Sequence, residues 1–319
     1  MARSPGNPLI PSHHGVAASC VALPPLKQPP WPTLLDFLDH RMPTVGRATW
    51  QLRLQSGLVV DERGAALPPT TPYQGGARVY YYRSVSDETP IPFEETVLFQ
   101  DAHLVVADKP HFLPVTPGGR YVQETLLVRL QQRLGLPALA PLHRIDRETA
   151  GLVLFAVNPT ERGAYHALFS GRTMRKHYEA IAAFSESLRS PQVHRSQLRD
   201  HATDFFRMCE VPAAEHPQPN SETRIELLER HGEWARYGLE PLTGKRHQLR
   251  VHMNALGLPI VGDQLYPHTL HGPNEAEDFS TPLRLLAKSL AFTDPVTGEA
   301  RRFESARGLD WPAARSAPC

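Results

Sequence analysis

One stretch of the chain, residues 143–156, reads HRIDRETAGLVLFA. It places an acid, Asp146, between Arg144 and Arg147, and an apolar run with the composition of a strand follows. Burying a carboxylate beside such a strand is costly unless cations stabilise its charge. The stretch therefore predicts a buried strand over residues 152–157 and a functional role for the acid that precedes it.

A second stretch, residues 241–252, reads PLTGKRHQLRVH and supplies further cations. Burial raises the pKa of an aspartate, whereas a guanidinium within about 4–6 Å lowers it. Residues i and i+2 of an extended segment share a face, so Arg144 is a candidate partner of Asp146, with Lys245 or Arg246 as a second cation. A carboxylate kept charged in a dry pocket suits nucleophilic catalysis, although spacing alone favours an ordinary structural ion pair.

The composition is that of a soluble globular protein. A chain of 319 residues suffices for one large domain and one small domain, with 41% hydrophobic residues and a mean hydropathy of −0.36. No apolar run approaches the roughly 20 residues that a membrane helix needs. Cys20, Cys209 and Cys319 match neither a zinc spacing nor a disulfide framework, which favours a reducing, cytoplasmic location.

The net charge of +1 gives no indication of a nucleic-acid partner. Any such argument depends on where the charges lie, and cations cluster in and around the motifs. They are Arg144, Arg147, Arg172, Arg175, Lys176, Lys245, Arg246 and Arg250. An ordinary solvated surface is an equally good interpretation of any single cluster.

Composition shifts along the chain predict three regions. Residues 1–32 contain eight prolines, where average usage of about 5% would give one or two, so residues 1–30 are expected to form a flexible, partly extended arm. Residues 31–86 show two short helical patterns and then two strands, which indicates a small α/β module. Residues 87–312 form the larger domain, in which strands dominate.

The large domain is predicted to be α+β, built around a mixed, largely antiparallel sheet. Its strands are expected at 104–107, 152–157, 177–183 and 224–228, with a hairpin turn at 294–298; its helices at 124–134, from Pro159 onward, and at 249–256. No internal repeat is present in the sequence.

Residues 143–156 resemble the signature of the RluA-type pseudouridine synthases, a run of the form H-R-[LI]-D-x-x-T-[SA]-G-[LI]-[LV]-L-F-[AV] that carries the catalytic aspartate. Residues 97–110 resemble the opening strand and Lys-Pro turn of that family, and residues 175–180 its K-x-Y-x-A strand. Residues 243–263 resemble its T-G-[RK]-x-H-Q-[LI]-R-V-H and G-D block. Four motifs in this order make a specific signal. The resemblance implies isomerisation of uridine to pseudouridine in structured RNA, ribosomal or transfer.

The resemblance also implies roles for individual residues. Asp146 would attack the target uridine or take a proton from its sugar, and Tyr178 would stack on the flipped base and help remove the proton on carbon 5. Arg144 and Lys245 would pair with Asp146 and hold the nucleotide, which must leave its helix to be reached. The implied substrate-binding residues are His143, Arg147, Lys176, His247, Gln248, Leu249 and Arg250. Tyr178 could instead fill the core, and Lys245 could be a helix-start cation.

No metal or organic cofactor is expected, because an isomerisation retains its leaving group. His247 and His252 lie five residues apart on a predicted helix and face apart, which disfavours a zinc site. The expected partner is RNA, with no membrane, and the chain is expected to be a monomer. Residues 31–86 weakly resemble a small RNA-binding domain named after a ribosomal small-subunit protein, by shape only.

Three positions depart from the family pattern. Ala150 stands where serine is usual, and Lys245 stands where arginine is commoner, although lysine cannot form a bidentate contact with a carboxylate. His111-Phe112 replaces the usual Ala-Gly pair, so we expect a reshaped substrate groove. These departures cast doubt on transferring any relative's RNA target.

Two other functions fit less well. A non-catalytic RNA-binding or ribosome-assembly factor on the same scaffold would be expected to have lost Asp146, Arg144, Tyr178 or the cation at 245, and all four are present. A carboxylate-based hydrolase lacks a second acid at the required spacing. The target RNA cannot be identified from the sequence, because RNA recognition depends on loop shape.

Overall fold

The computed structural model describes residues 18–83, 88–188, 190–204, 206–211, 218–270 and 277–313, together with the single residues 10, 16, 215 and 275. The chain divides into two units. The first comprises residues 1–88, 117–123 and 128–137, and the second comprises residues 89–116, 124–127 and 138–319.

The first unit combines two helices with a small sheet. Helix α1 (Leu34–Arg41) begins with a capping box: the Asp36 N–H donates to the Thr33 hydroxyl, and the Asp36 carboxylate accepts from the Thr33 N–H. Helix α2 (Arg47–Gln55) contributes the fully buried Trp50 to the same core. Strands β1 (Ser19–Ala22), β2 (Val59–Val60) and β3 (Arg78–Tyr81) pair antiparallel in the order β1-β3-β2.

Strand β1 corrects part of the expected N-terminal arm. Most of residues 1–17 lie outside the described residues, but Ser19–Ala22 pairs in full register with β3. The reason is alternation: Val21 packs on the core of the first unit and Leu23 is buried in it. Proline-rich composition obscured this short strand.

The second unit contains one large mixed sheet. Its strands are β4 (Thr96–Gln100), β5 (Leu104–Lys109), β6 (Ala140–Pro141), β7 (Ala150–Ala156), β8 (Arg175–Ala183), β9 (Gln192–Asp200), β10 (Met208–Val211), β11 (Ser221–His231), β12 (Trp234–Pro241), β13 (Leu285–Thr293) and β14 (Ala300–Glu304). The main order is β10-β9-β11-β12-β8-β13-β7-β5-β4, with β14 on β13 and β6 on β7. Only β13 and β7 pair parallel among these strands, which confirms the predicted α+β class.

Helix α3 (Leu126–Leu134) begins in the second unit and belongs to the first from residue 128 onward, whereas α4 (Arg162–Ser170) and α5 (Gln248–Ala255) accompany this sheet. Helix α4 begins three residues later than predicted, because the Asn158 carboxamide accepts from Thr160 and holds residues 159–161 in a turn. Leu249 and Met253 of α5 pack against Tyr237 and Leu239 of β12 in the main core. No described helix has the length and hydropathy to cross a bilayer.

Two glycines allow close backbone approaches next to the segments that carry Asp146 and Asp263. Gly151 has φ +107, and a Cβ there would lie 2.3 Å from the Ala287 carbonyl oxygen, where β7 meets β13. Gly262 has φ +77, and a Cβ would lie 2.3 Å from the Pro282 carbonyl oxygen. Only glycine fits either position. Gly151 follows the turn that carries Asp146, and Gly262 directly precedes Asp263.

Candidate active site

A cavity open to solvent lies in the second unit. Most of its lining comes from three segments: the turn that precedes β7, the start of β8, and the connection from β12 into α5. Nine of the eleven predicted site residues line it, namely Arg144, Asp146, Lys176, Tyr178, Lys245, His247, Gln248, Leu249 and Arg250.

Asp146 lies at one end of a chain of charges. Its Oδ2 is 3.3 Å from Nη1 of Arg250, and its side chain is 25% exposed. The Arg250 guanidinium is 1% exposed and also binds Asp263 in a bidentate manner, through Nη2–Oδ1 at 2.6 Å and Nε–Oδ2 at 2.8 Å. Despite burial, Asp263 and the carboxylates beyond it raise the pKa of Arg250, which therefore stays charged.

Arg250 replaces the ion-pair partners that we expected for Asp146. Arg144 and Lys245 line the cavity and are exposed, but neither makes an ion pair with any described residue. Arg246 binds Asp200 at 2.8 Å instead. An extended i, i+2 relation failed to apply because residues 142–146 form no strand. The register of α5 brings Arg250 to the acid.

Glu148 is a second carboxylate behind the turn. Its Oε2 lies 3.7 Å from Nη1 of Arg250, and Arg147 donates to its Oε1 at 3.0 Å. Burial acts to raise the pKa of Glu148, but the guanidinium groups of Arg250 and Arg147 outweigh burial and lower it. Glu148 is therefore an anion that shares Arg250 with Asp146.

The turn that carries Asp146 is held through its backbone. The Thr149 N–H donates to the Asp146 carbonyl at 3.2 Å, and Lys109 Nζ donates to the Arg147 carbonyl at 2.9 Å. Lys109 is fully buried, and burial lowers its pKa to about 7, although Glu148 and Asp146 act to raise it. The end of β5 thus supports the turn from behind.

Tyr178 lies on β8 and lines the same cavity. Burial, and secondarily the charge of Asp146, raises the pKa of its hydroxyl, so the phenol is neutral at physiological pH. Tyr178 is only partly buried, against the cluster that contains Leu249 and Leu285. The side chain of Tyr178 therefore packs partly on the core and also borders the cavity.

Lys176 is the cation inside the cavity. Its Nζ donates to the Thr243 carbonyl at 3.0 Å, and among the described residues it has no carboxylate partner. Burial lowers its pKa to about 8. A lysine that is half-buried and lacks an anion is suited to receive one from a ligand.

Gln248 and His247 start α5 at the cavity wall. The Gln248 carboxamide accepts from Thr243 Oγ1 at 2.7 Å and Lys245 N at 3.1 Å, and donates to the Glu222 carbonyl and Thr223. His247 adopts a left-handed backbone at φ 54, and its Nδ1 lies 3.1 Å from the Tyr266 hydroxyl. All polar atoms of the Gln248 side chain are engaged within the protein, so it shapes the wall more than it offers free donors.

Two predicted substrate-binding residues lie elsewhere. The His143 Nε2 accepts from the Leu154 N–H at 3.1 Å, its ring packs on Phe169, and burial lowers its pKa to about 3. Arg147 binds Glu277 at 2.7 Å and Glu148. Neither lines the cavity. The sequence missed this because His143 is held by the backbone of β7 and Arg147 by Glu277, and no local pattern indicates either contact.

His111 and Phe112 do not line the cavity, so any reshaping of the groove by this pair lies outside it. The His111 Nδ1 is 2.7 Å from the Glu148 carbonyl oxygen. Phe112 is 1% exposed at φ 66, and its ring lies 5.8 Å from Phe93 and 5.3 Å from Phe279. Both residues support the turn and its surroundings from behind.

One cluster has the residue types of a metal site: His194, Glu210 and His252. However, His194 Nε2 binds Glu210 at 2.7 Å, and both ring nitrogens of His252 contact hydroxyl groups of Ser196, Ser221 and Thr223 at 2.9–3.1 Å. These side chains therefore already have hydrogen-bond partners within the protein. Such contacts are typical of a structural network, which here ties α5 to the sheet.

Sequence reasoning missed Asp263 as the anchor of Arg250, although the Gly262-Asp263 pair belonged to a recognised motif. It also missed Lys109, His111 and Glu148 as supports of the turn. The Lys-Pro motif was a signal for Lys109. No pattern in the sequence connected His111 with Glu148, which lie 37 residues apart.

Comparisons with known proteins identify the family of the chain. Residues 103–255 match the RNA pseudouridylate synthase family. The chain is 31% identical over 211 residues to the dual-specificity RNA pseudouridine synthase RluA of Haemophilus influenzae, covering 66% of this chain and 91% of that protein. It is 30% identical over 277 residues to the ribosomal large subunit pseudouridine synthase D of the same organism, covering 82% and 83%.

A solved structure shows the same fold. Human RNA pseudouridylate synthase domain containing 1 superposes with a TM-score of 0.55 at 24% identity, covering 67% of this chain and 84% of that one. Together with the curated relatives, this confirms the resemblance that the four motifs indicated. The chain belongs to the RluA-type family of RNA pseudouridine synthases and is an isomerase that acts on uridine in RNA.

Proposed function

We propose that the enzyme isomerises a specific uridine in structured RNA, ribosomal or transfer, with Asp146 as the nucleophile acting on a flipped nucleotide. One observation carries the proposal: Asp146 borders the cavity with 25% of its side chain exposed, while its charge is stabilised from behind by the buried Arg250. The other carboxylate oxygen of Asp146, Oδ1, accepts no hydrogen bond from a described residue and stays available to a substrate.

The chemistry follows from the position of that carboxylate. Asp146 attacks the sugar at carbon 1′ or removes a proton from the sugar, and either route breaks the bond between N1 of the base and carbon 1′. The freed base rotates within the cavity and forms a new bond from its carbon 5 to carbon 1′. On the attack route this breaks the bond between Asp146 and carbon 1′, and on the other route the removed proton returns to the sugar. The proton on carbon 5 is lost and N1 gains one. Arg250 stabilises the carboxylate whenever it is released.

Tyr178 would stack on the base in this scheme. Its neutral phenol is a poor base in the resting enzyme, because burial and the charge of Asp146 raise its pKa. On the attack route, the ester formed at Asp146 would be uncharged. One of the two causes of the raised Tyr178 pKa would then be absent. Tyr178 could then assist in removing the carbon-5 proton, while Leu249 forms an apolar wall beneath the base.

The cations around the cavity would offset the cost of flipping, which is a few kcal/mol. Arg144 and Lys245 are exposed at the cavity and make no ion pair with described residues, so both are available to phosphates. Lys176 would bind an anionic group of the nucleotide deeper in the cavity. We assign His247 and Gln248 to the wall that shapes this space.

Relatives and composition support the remaining assignments. One relative is called a large-ribosomal-subunit enzyme, which supports a ribosomal RNA target, and the transfer RNA alternative rests on the family resemblance of the motifs. We assign the chemistry to residues 87–312 and an RNA-binding role to residues 31–86. We also propose a monomer in the cytoplasm, where the free thiols Cys20 and Cys209 would persist.

The test is a pseudouridine map of total RNA from cells that carry the native protein or Asp146→Asn. We expect at least one modified uridine to disappear in the variant. Asp310→Asn, at an exposed aspartate of the same unit, is the control and should leave the map unchanged. Identical maps for the native protein and Asp146→Asn would contradict the nucleophile and favour a non-catalytic RNA-binding factor.

A further inference from the structure

We propose that His111 is a positioning residue for Asp146, acting through the backbone of the catalytic turn. Its Nδ1 lies 2.7 Å from the Glu148 carbonyl oxygen, two residues beyond the acid. His111 does not line the cavity, so we assign its effect to the turn and not to the uridine. The inference rests on the proposed function of Asp146.

The chemistry of this contact fixes the form of the imidazole. A carbonyl oxygen only accepts hydrogen bonds, so Nδ1 of His111 must carry the proton and donate it. Burial lowers the pKa of His111 to about 4; its bond to Glu148 acts against this, and the charges of Lys109, Arg284 and Arg307 lower it further. The ring is therefore neutral and has one tautomer at physiological pH.

His111 completes a row of backbone contacts. The three successive carbonyls of the turn, at Asp146, Arg147 and Glu148, accept from Thr149 N, Lys109 Nζ and His111 Nδ1. Two of these donors come from the segment at the end of β5. The turn is thus bound to a buried strand at consecutive peptide groups, which restricts rotation of the peptides that follow Asp146.

This support matters because little else restrains the acid. The Asp146 side chain makes one contact with a described residue, at 3.3 Å from Arg250, so its carboxylate goes where the backbone places it. A misplacement of about 1 Å can cost about 100-fold in rate. Glu148 also lies 3.7 Å from Arg250, so rotation of its peptide would disturb the guanidinium as well.

The family that the chain resembles usually has alanine at this position, and alanine has no donor. This enzyme therefore has a contact to the turn that the usual residue cannot make. The expectation drawn from sequence, that the bulky pair at 111–112 reshapes the groove, is replaced by a different role. The ring at 111 acts on the geometry of the nucleophile.

The test compares three substitutions with different properties. His111→Ala removes the ring and the donor, His111→Leu keeps bulk without a donor, and His111→Asn keeps an amide donor near the position of Nδ1. The assay is release of tritium to water from total RNA labelled at uridine carbon 5, prepared from cells that lack this enzyme. Full-length protein is used, and thermal unfolding is measured for each variant.

We expect kcat to fall about 10-fold in His111→Ala and His111→Leu, with KM within about 2-fold, and His111→Asn to recover most of the loss. His103→Ala, which removes a hydrogen bond to Glu161 elsewhere in the unit, should leave kcat unchanged. Native kcat in the alanine and leucine variants, or an asparagine variant as slow as leucine, would overturn the inference. No tritium release by the native enzyme would instead contradict the proposed function.

Discussion

Three carboxylates surround the Arg250 guanidinium, and two of them, Asp263 and Asp146, are held in opposite ways. Asp263 is 1% exposed, and its oxygens accept two guanidinium bonds and the N–H groups of Leu265 and Tyr266. Asp146 is 25% exposed and has one contact at 3.3 Å. Asp263 is fixed through its side chain, whereas Asp146 is fixed through the carbonyls of its turn.

The difference separates structural from chemical use of the same ion pair. A carboxylate whose lone pairs are all occupied cannot attack a substrate, so a nucleophile has to remain incompletely bonded. Its position must then be determined by the backbone. Arg250 serves both acids: it is anchored by Asp263 and thereby presents a fixed charge to Asp146.

The largest effect on stability should distinguish the two acids directly. Asp263→Asn should lower the free energy of unfolding by about 3–5 kcal/mol, because it leaves a buried guanidinium without its main counter-charge. Asp146→Asn should change it by less than about 1 kcal/mol, since the contact is partly exposed and Arg250 keeps Asp263. Denaturant unfolding of both variants checks this.

The activities of the same two proteins sharpen the comparison. Asp146→Asn should retain its fold and lose tritium release by about 10⁴-fold or more, as expected when a nucleophile is removed. Equal destabilisation of the two variants would contradict the assignment, because the acids would then share one structural role. The double variant should resemble Asp263→Asn in stability.

Local patterns in the sequence predicted much of the framework around this pair. The apolar run after Asp146 indicated β7, and the Asp-Pro-Val-Thr-Gly turn at 294–298 indicated the β13–β14 hairpin, because both depend on neighbouring residues. The predicted α+β class is also confirmed. Helix α5 was also predicted, and Gly257 follows it at φ 73 as expected for a helix end.

The pairing of Asp146 with Arg250 could not be predicted, since 104 residues separate them. It depends on the register of α5 against the sheet, which positions Arg250 rather than Lys245 or Arg246. The structure also places His143 against β7, where its ring accepts a hydrogen bond from the Leu154 N–H. Proximity in sequence therefore identified the acid but not its cation.

Substitutions of Phe112 test the packing behind the turn that carries Asp146. Its backbone is left-handed at φ 66 while its ring is fully packed. Phe112→Ala should cost about 3–5 kcal/mol in lost packing. Phe112→Gly loses the same ring but relieves roughly 1 kcal/mol of backbone strain, so it should be more stable than alanine by about that amount.

This order is the reverse of the usual one, in which glycine is less stable than alanine. Thermal unfolding of the two variants measures it, with Leu113→Gly and Leu113→Ala as the matched pair, because Leu113 is equally buried and its φ is not positive. Glycine should be the less stable residue at 113. An alanine variant more stable than glycine at 112 would show that strain there is negligible.

The smallest effect concerns the open side of Asp146, where the cavity must accept an anionic substrate. Lys176 has a pKa of about 8, so it loses its charge as the pH rises from 7 to 9. A bound phosphate favours the charged form of Lys176, so binding takes up a proton and the affinity for RNA should fall about 5–10-fold over this pH range.

The Lys176→Arg variant stays charged and should flatten this pH dependence of affinity. Filter binding of the RNA identified by the pseudouridine map measures this, with Lys245→Arg as the control that should keep the native slope. A slope that survives in Lys176→Arg would assign the titration to another group and leave Lys176 as part of the wall.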